Sequence, residues 1–209
     1  INGITSFIEK KMNKSMQEIM KKCDTVIIPE NGPDEGNIRR VGPIVRQINF
    51  SREELRKKFS FDKKTIVISV GGTDAGVFLI EKTLESISKI NQDINVIVVS
   101  GPSLSKKFGD SIRNFGFVNN LHEMIFAADV TVSLAGKSTI DEAKAYGTPG
   151  IFIPIKGHFE QEGNAKEEGF VFEDIDRLDK LILEKLEQKR NPLETRGAIT
   201  AYNIIKKLI

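Results

Sequence analysis

The sequence predicts an α/β protein built on a doubly wound parallel sheet. Short β-branched runs recur along the chain, each followed by a turn and then a helical pattern. The runs are apolar on both faces, as strands covered by helices on both sides must be. The chain of 209 residues is 39% hydrophobic and 29% charged, ordinary for a globular protein, so bulk disorder is excluded.

The elements follow in order. Ile8–Cys23 reads as an amphipathic helix with apolar positions at Phe7, Ile8, Met12, Met16, Ile19 and Met20. Asp24–Pro29 reads as a strand, and the Pro/Gly-rich stretch Asn31–Asn37 as a boundary. Thr65–Val70 is a strand leading through Gly71 and Gly72 into a helix over Val77–Lys89. Asn95–Ser100 is a strand leading through Gly101 and Pro102 into a short helical stretch. Asn114–Val118 is a strand, followed through Asn119 and Asn120 by a helix ending near Ala127. Val130–Leu134 leads through Ala135 and Gly136 into a helix over Ser138–Tyr146. Gly150–Ile155 leads through Gly157 into a helix ending before Gly169. Asp174–Lys189 reads as a solvated helix, and Thr200–Ile209 as a last helix with Ile204, Ile205 and Leu208 as its apolar face.

Composition narrows the function classes. Lys plus Arg number 31 against 29 acids, so no concentrated basic face for nucleic acid is expected. No apolar run approaches the ~20 residues of a membrane span, and the lysine-rich start is not a signal peptide. One cysteine, Cys23, excludes an internal disulfide; two histidines beside it give no expected metal site. Both facts fit a reducing compartment. Cys23 itself reads as a packing residue.

In an open parallel sheet, ligands bind outside the carboxyl ends of the strands, so the strand-to-helix turns carry the candidates. Gly71-Gly72-Thr73-Asp74-Ala75-Gly76 is one; it is neither a Walker loop nor GxGxxG, and an ordinary tight turn explains it equally well. Ser133 to Glu142 is the other. Thr131 stands where a P-loop needs its first glycine, so that reading fails. What remains is a glycine turn, hydroxyls at a helix start and an acid one turn in. Bare N–H groups there suit a phosphate, and Glu142 can accept from two ribose hydroxyls. On spacing alone, Thr139-x-x-Glu142 is more simply a capping box. Gly157 to Ala165 is a polar loop whose carboxylates and amides suit sugar hydroxyls, or a solvated first helical turn. His158 reads as a lone surface histidine. No Ser/His/Asp arrangement is visible.

Taken together these segments resemble the C-terminal, donor-binding domain of GT-B glycosyltransferases of the family 28 type. The carrying string is Ala128-Asp129, Ser133, Ala135-Gly136, Ser138-Thr139, Glu142-Ala143, Gly147-x-Pro149, Ile153-Pro154 and Gln161-x-x-Asn164-Ala165. The Gly71-Gly72-Thr73 and Gly116-Phe117-Val118 turns precede it at the expected distances, and Val41-Gly42-Pro43-Ile44 looks like an interdomain segment. The resemblance implies a Rossmann-like, nucleotide-sugar-binding domain over 41–195. Residues 1–40 are then the remnant of a preceding domain plus linker, and 196–209 a C-terminal helix. It implies a UDP-sugar, of the UDP-GlcNAc type, as donor substrate, with no cofactor and no metal. Glu142 would hold the ribose hydroxyls, outweighing the capping reading. Gly136, Lys137, Ser138 and Thr139 would hold the diphosphate, approached also by Gly72 and Thr73. Phe117 and Val118 would flank the uracil, and Gln161 with Glu160 would contact the sugar. Glu160 and Lys137 depart from the usual residues at their positions. The general base is expected in an N-terminal domain, and the acceptor is a hydroxyl on a lipid-linked molecule or a glycan.

Two other readings stand beside the transferase. One is a UDP-sugar hydrolase or epimerase on the same scaffold, which the Val70-Gly71-Gly72-Thr73-Asp74 turn also resembles. The other is a non-catalytic donor-binding subunit of a two-chain transferase. The expected location is cytoplasmic. The Phe7–Lys22 helix is expected to pack on a preceding domain, with a membrane-surface role at the inner face as the alternative.

Overall fold

The computed structural model describes residues 2–71, 74–101, 108–109 and 112–208, with backbone alone for 2–9 and 74. Along the chain run α1 (Asn2–Met20), β1 (Val26–Ile28), β2 (Ile38–Arg40), α2 (Arg52–Phe59) and β3 (Lys64–Ser69). Then come α3 (Val77–Ile87), β4 (Ile94–Val99), β5 (Arg113–Asn114), α4 (Leu121–Ala127) and β6 (Val130–Leu134). Finally come α5 (Lys137–Tyr146), β7 (Gly150–Ile153), α6 (Phe159–Glu167), α7 (Leu178–Glu187) and α8 (Gly197–Lys206). The chain divides into two units: 1–45 with 194–209, and 46–193.

The larger unit holds a five-stranded sheet in the order β5-β4-β3-β6-β7, every neighbouring pair parallel. Side chains alternate across a strand, so β3 feeds two cores. Ile66, Ile68 and Val70 pack with Leu79 and Ile80 of α3, Ile140 of α5, and Leu178 and Ile182 of α7. Val67 packs with Ile97 and Val99 of β4, Leu55 and Phe59 of α2, and Met124 of α4. The sheet is thus covered on both faces, as the apolar runs predict.

Two expectations are corrected here. The strand predicted over 114–118 stops at Asn114: Gly116 is left-handed (φ 60°), and its N–H donates to Asn114 Oδ1 at 3.1 Å, which turns the chain away. The segment predicted as a solvated helix is a 3-10 turn, Phe172–Arg177, followed by α7, which buries Leu178, Leu181, Ile182 and Leu186 against the sheet. Its charges lie on the opposite face and mask a helical apolar stripe. Two elements were not anticipated. α2 opens with a capping box, Ser51 accepting from the Glu54 N–H at 3.2 Å and Glu54 from the Ser51 N–H at 2.7 Å. β2 pairs in parallel with β1.

In the smaller unit, α1 begins at Asn2 and ends at Met20, where the Asn37 amide donates to the carbonyls of Met20 (2.8 Å) and Cys23 (2.7 Å). Cys23 is exposed, against the packing role expected of it. In α8 the buried residues are Gly197 and Ala201; Ile205 and Leu208 are exposed, so the predicted apolar face is not the packed one. A side chain at Gly197 would strike the carbonyl oxygens of Pro43 and Gly42 at 2.3 and 2.5 Å, so a glycine is required at that close approach.

Candidate functional site

The carboxyl ends of β3 and β6 open on the two glycine turns. After β3, Gly71 is left-handed (φ 76°), and at Gly76 a Cβ would meet the Val70 Cβ at 2.4 Å. Gly72 and Thr73 lie outside the described residues. After β6 the chain turns tightly, the Gly136 N–H donating to the Leu134 carbonyl at 2.7 Å. Gly136 is the N-cap of α5 and supplies no side-chain cap, and no acid stands in the first turn. Its φ of −78° is open to any residue, and a Cβ there would meet nothing within 4 Å. Neither backbone conformation nor packing therefore demands glycine. What its absence of a side chain leaves is free space in front of the helix N–H groups, the setting in which an anion binds.

Lys137 is the first residue of α5 and pairs with the buried Asp141 one turn on. Ser138 is exposed and Thr139 half-buried. Because the helix begins at Lys137, Thr139 lies inside its first turn and is not a cap, so the capping-box reading of Thr139 and Glu142 fails on geometry. Glu142 is buried, its side chain 7% exposed, and its two oxygens accept from Arg46 Nε at 2.7 Å and NH2 at 3.2 Å. A carboxylate offers about four acceptor positions; Arg46 takes two.

Arg46 went unnoticed in the sequence, 96 positions before its partner. Only its place just after the Val41-Gly42-Pro43-Ile44 segment could have drawn attention to it. Its NH1 also donates to the Asn119 carbonyl at 3.3 Å, and its own carbonyl accepts from the buried Tyr146 hydroxyl at 2.7 Å. The bond to Glu142 raises the Arg46 pKa above its ordinary value, against the lowering effect of burial. Burial, reinforced by Glu142, pushes the Tyr146 phenol up. One guanidinium thus ties α5 to the loop that carries Phe117 and Val118. Phe117 is 63% exposed on that loop, a bare ring open to stacking, and Val118 is half-buried beside it.

On the other side of the turn, Asn164 donates to the Ala135 carbonyl at 3.0 Å and fixes α6 against the start of α5. Gln161 accepts from the Ile155 N–H at 3.0 Å through its oxygen, so its amide N–H groups are the ones left for a ligand. Glu160 is exposed. His158 is exposed too and serves as the N-cap of α6, accepting from the Gln161 N–H at 3.4 Å. Of the sequence-predicted residues, then, 136–142, 160–161 and 117–118 stand on three connected segments at one end of the sheet. Among the described residues no three His, Cys, Asp or Glu side chains come together to hold a metal ion. No helix among them is long and apolar enough to cross a membrane.

A five-stranded parallel sheet with glycine turns at its carboxyl end defines the class, and solved structures of glycosyltransferases share the fold. The calicheamicin glycosyltransferase CalG4 superposes with a TM-score of 0.55 at 12% identity, over 99% of this chain and 60% of that one. WaaG, a glycosyltransferase involved in lipopolysaccharide biosynthesis, gives 0.52 at 19% identity, over 73% of this chain and 48% of that one. These likenesses show the GT-B fold. The glycosyltransferase family 28 C-terminal domain matches residues 65–201, and the chain belongs to that family. It is 30% identical to an uncharacterized glycosyltransferase of Methanosarcina acetivorans, over 78% of this chain and 47% of the relative. It is 29% identical to the UDP-N-acetylglucosamine–N-acetylmuramyl-(pentapeptide) pyrophosphoryl-undecaprenol N-acetylglucosamine transferase of Aquifex aeolicus, over 55% of this chain and 36% of the relative. The chain spans about half the length of the curated relatives it matches.

Proposed function

We propose that this chain is the donor-binding half of an inverting glycosyltransferase that moves a hexosyl group from a UDP-sugar, of the UDP-GlcNAc type, to an acceptor hydroxyl. The observation that carries this is the start of α5: an uncapped helix end with open space at Gly136, and the buried Glu142 carboxylate one turn further in. In this reading the diphosphate lies at the N–H groups of Lys137 and Ser138, with the Ser138 and Thr139 hydroxyls beside it. Glu142 accepts from the ribose hydroxyls through the acceptor positions that Arg46 leaves. Phe117 and the Val118 backbone take the uracil. The Gln161 amide, with Glu160, takes the sugar. The donor name of the Aquifex aeolicus relative supports the choice of UDP-GlcNAc.

The acceptor hydroxyl attacks the anomeric carbon, the bond from that carbon to the diphosphate breaks, and a base takes the hydroxyl proton. We assign the base and the acceptor site to a second domain or partner chain, as the family resemblance implies. Negative charge grows on the leaving diphosphate, where helix N–H groups stabilise it without a metal.

Calorimetric titration of the chain with UDP, GDP, ADP and dTDP, each with and without EDTA, tests the reading. UDP binds tightest, and the chelator changes nothing. No binding of UDP, or a preference for GDP or ADP, overturns it.

A further inference from the structure

Buried polar atoms without a hydrogen-bond partner are rare, and each calls for an explanation. Among the described residues two side-chain nitrogens stand so: Arg52 Nε and His122 Nδ1. Arg52 still engages the Asp129 carboxylate (2.7 Å) and the Ala128 carbonyl (3.3 Å) through its NH2. The His122 imidazole makes no hydrogen bond to another described residue, so its buried edge is left entirely unsatisfied.

Its neighbourhood is the donor site. His122 is the second residue of α4, three positions after Asn119, whose carbonyl receives Arg46. α4 packs along α5, which carries Glu142. The charges acting on the ring are those of Arg46 and Glu142 and of the Lys58–Glu123 ion pair (2.7 Å). Burial, helped by Arg46, holds the imidazole below its ordinary value, so it is neutral at pH 7. A neutral imidazole keeps one nitrogen as an acceptor.

We propose that His122 is a further nucleoside-binding residue beside Glu142, Phe117 and Val118, its unpartnered Nδ1 accepting a hydrogen bond from the donor's nucleoside. The proposal rests on the reading that the nucleotide docks at Glu142. The physical sense is that an atom left short in the free protein is completed by the ligand, so the same residue weakens the fold and strengthens binding. A histidine serving only to pack the helix has no such split.

The test uses the whole chain, with UDP titration and thermal unfolding of the parent and of H122N, H122Q and H122F. Asn places its amide group near Nδ1, and Gln near Nε2. H122N binds UDP within about threefold of the parent, whereas H122Q and H122F lose about tenfold or more. H122F without ligand melts no lower than the parent, because the unsatisfied atom is gone. Parent affinity falls more steeply with acidification than that of H122N, the fall common to both being the protonation of the terminal phosphate of UDP; identical pH profiles for the two overturn the role of His122. Equal UDP affinity in all three variants overturns the proposal while leaving the donor reading intact, provided that E142A weakens binding. A parent chain that binds no UDP overturns the donor reading, and the role of His122 with it.

Discussion

The two ends of the parallel sheet treat most of their polar groups in opposite ways, the unpartnered Arg52 Nε being the exception at the amino end. At the amino end, Asp129 lies just before β6, and its oxygens are filled by Arg52 (2.7 Å), Arg56 (2.9 Å) and the Thr65 N–H (2.7 Å). Three guanidiniums close the end of α4: Arg52 and Arg190 reach the Ala128 carbonyl, Arg56 that of Ala127, and Arg190 also those of Phe126 and Tyr146. Burial pushes Arg190 down to about 10, and it stays charged at neutral pH. At the carboxyl end, α5 starts uncapped, Gly136 faces open space, Phe117 is bare and His122 Nδ1 has no partner. Apart from Arg52 Nε, the groups named at the amino end are satisfied within the chain and hold the fold; those left short at the carboxyl end are the ones we propose a ligand completes.

Four changes can break or sharpen that contrast. The largest effect is expected from Gly136→Val. It fills the space before the helix start and abolishes UDP binding, a loss of at least about 100-fold, with thermal unfolding unchanged. Normal binding by this variant removes the phosphate site from α5. Next is Asp129→Asn, which strips a carboxylate from paired arginines and lowers stability by about 2–3 kcal/mol in urea titration, with UDP affinity unaltered. Here the sign of the pH effect is fixed. Burial pushes the Asp129 carboxyl up, but the Thr65 N–H and the Arg56 and Arg52 guanidiniums outweigh it and hold it below the ordinary value. Its stabilisation is therefore complete above about pH 4 and is lost as the pH falls below that. The gap between parent and D129N closes in acid; a gap that stays constant down to pH 2 excludes this origin.

Arg46→Gln comes third. It leaves buried Glu142 without its bidentate partner and frees the Asn119 loop, costing about 1–2 kcal/mol of stability and weakening UDP in the same titration. Stability loss with full affinity would make Arg46 a purely structural residue. The smallest effect belongs to Ser51→Ala, at the start of the helix that carries Arg52 and Arg56. It opens the α2 capping box for about 1 kcal/mol, with no change in UDP binding.

The sheet was legible because its strands are buried on both faces and need continuous apolar runs, as in Thr65–Val70 and Val130–Leu134. α7 was misread because its charges outnumber the leucines that bury it, and α2 was missed although Ser51-x-x-Glu54 spells its cap. In the candidate site, Gly136 and Glu142 could be read because they are close in sequence and share one helix. Arg46 and His122 could not, since what matters about each is a contact or a missing contact, created by chain folding across tens of residues.

Arg46 opens the larger unit and yet grips its innermost acid. Anyone trimming this protein to its sheet for crystallography or for fusion meets a trap. A piece begun at Ser51 keeps every strand and helix of the larger unit and still loses the clasp on Glu142. The safe cut lies upstream of residue 46, a few positions earlier than secondary structure alone advises.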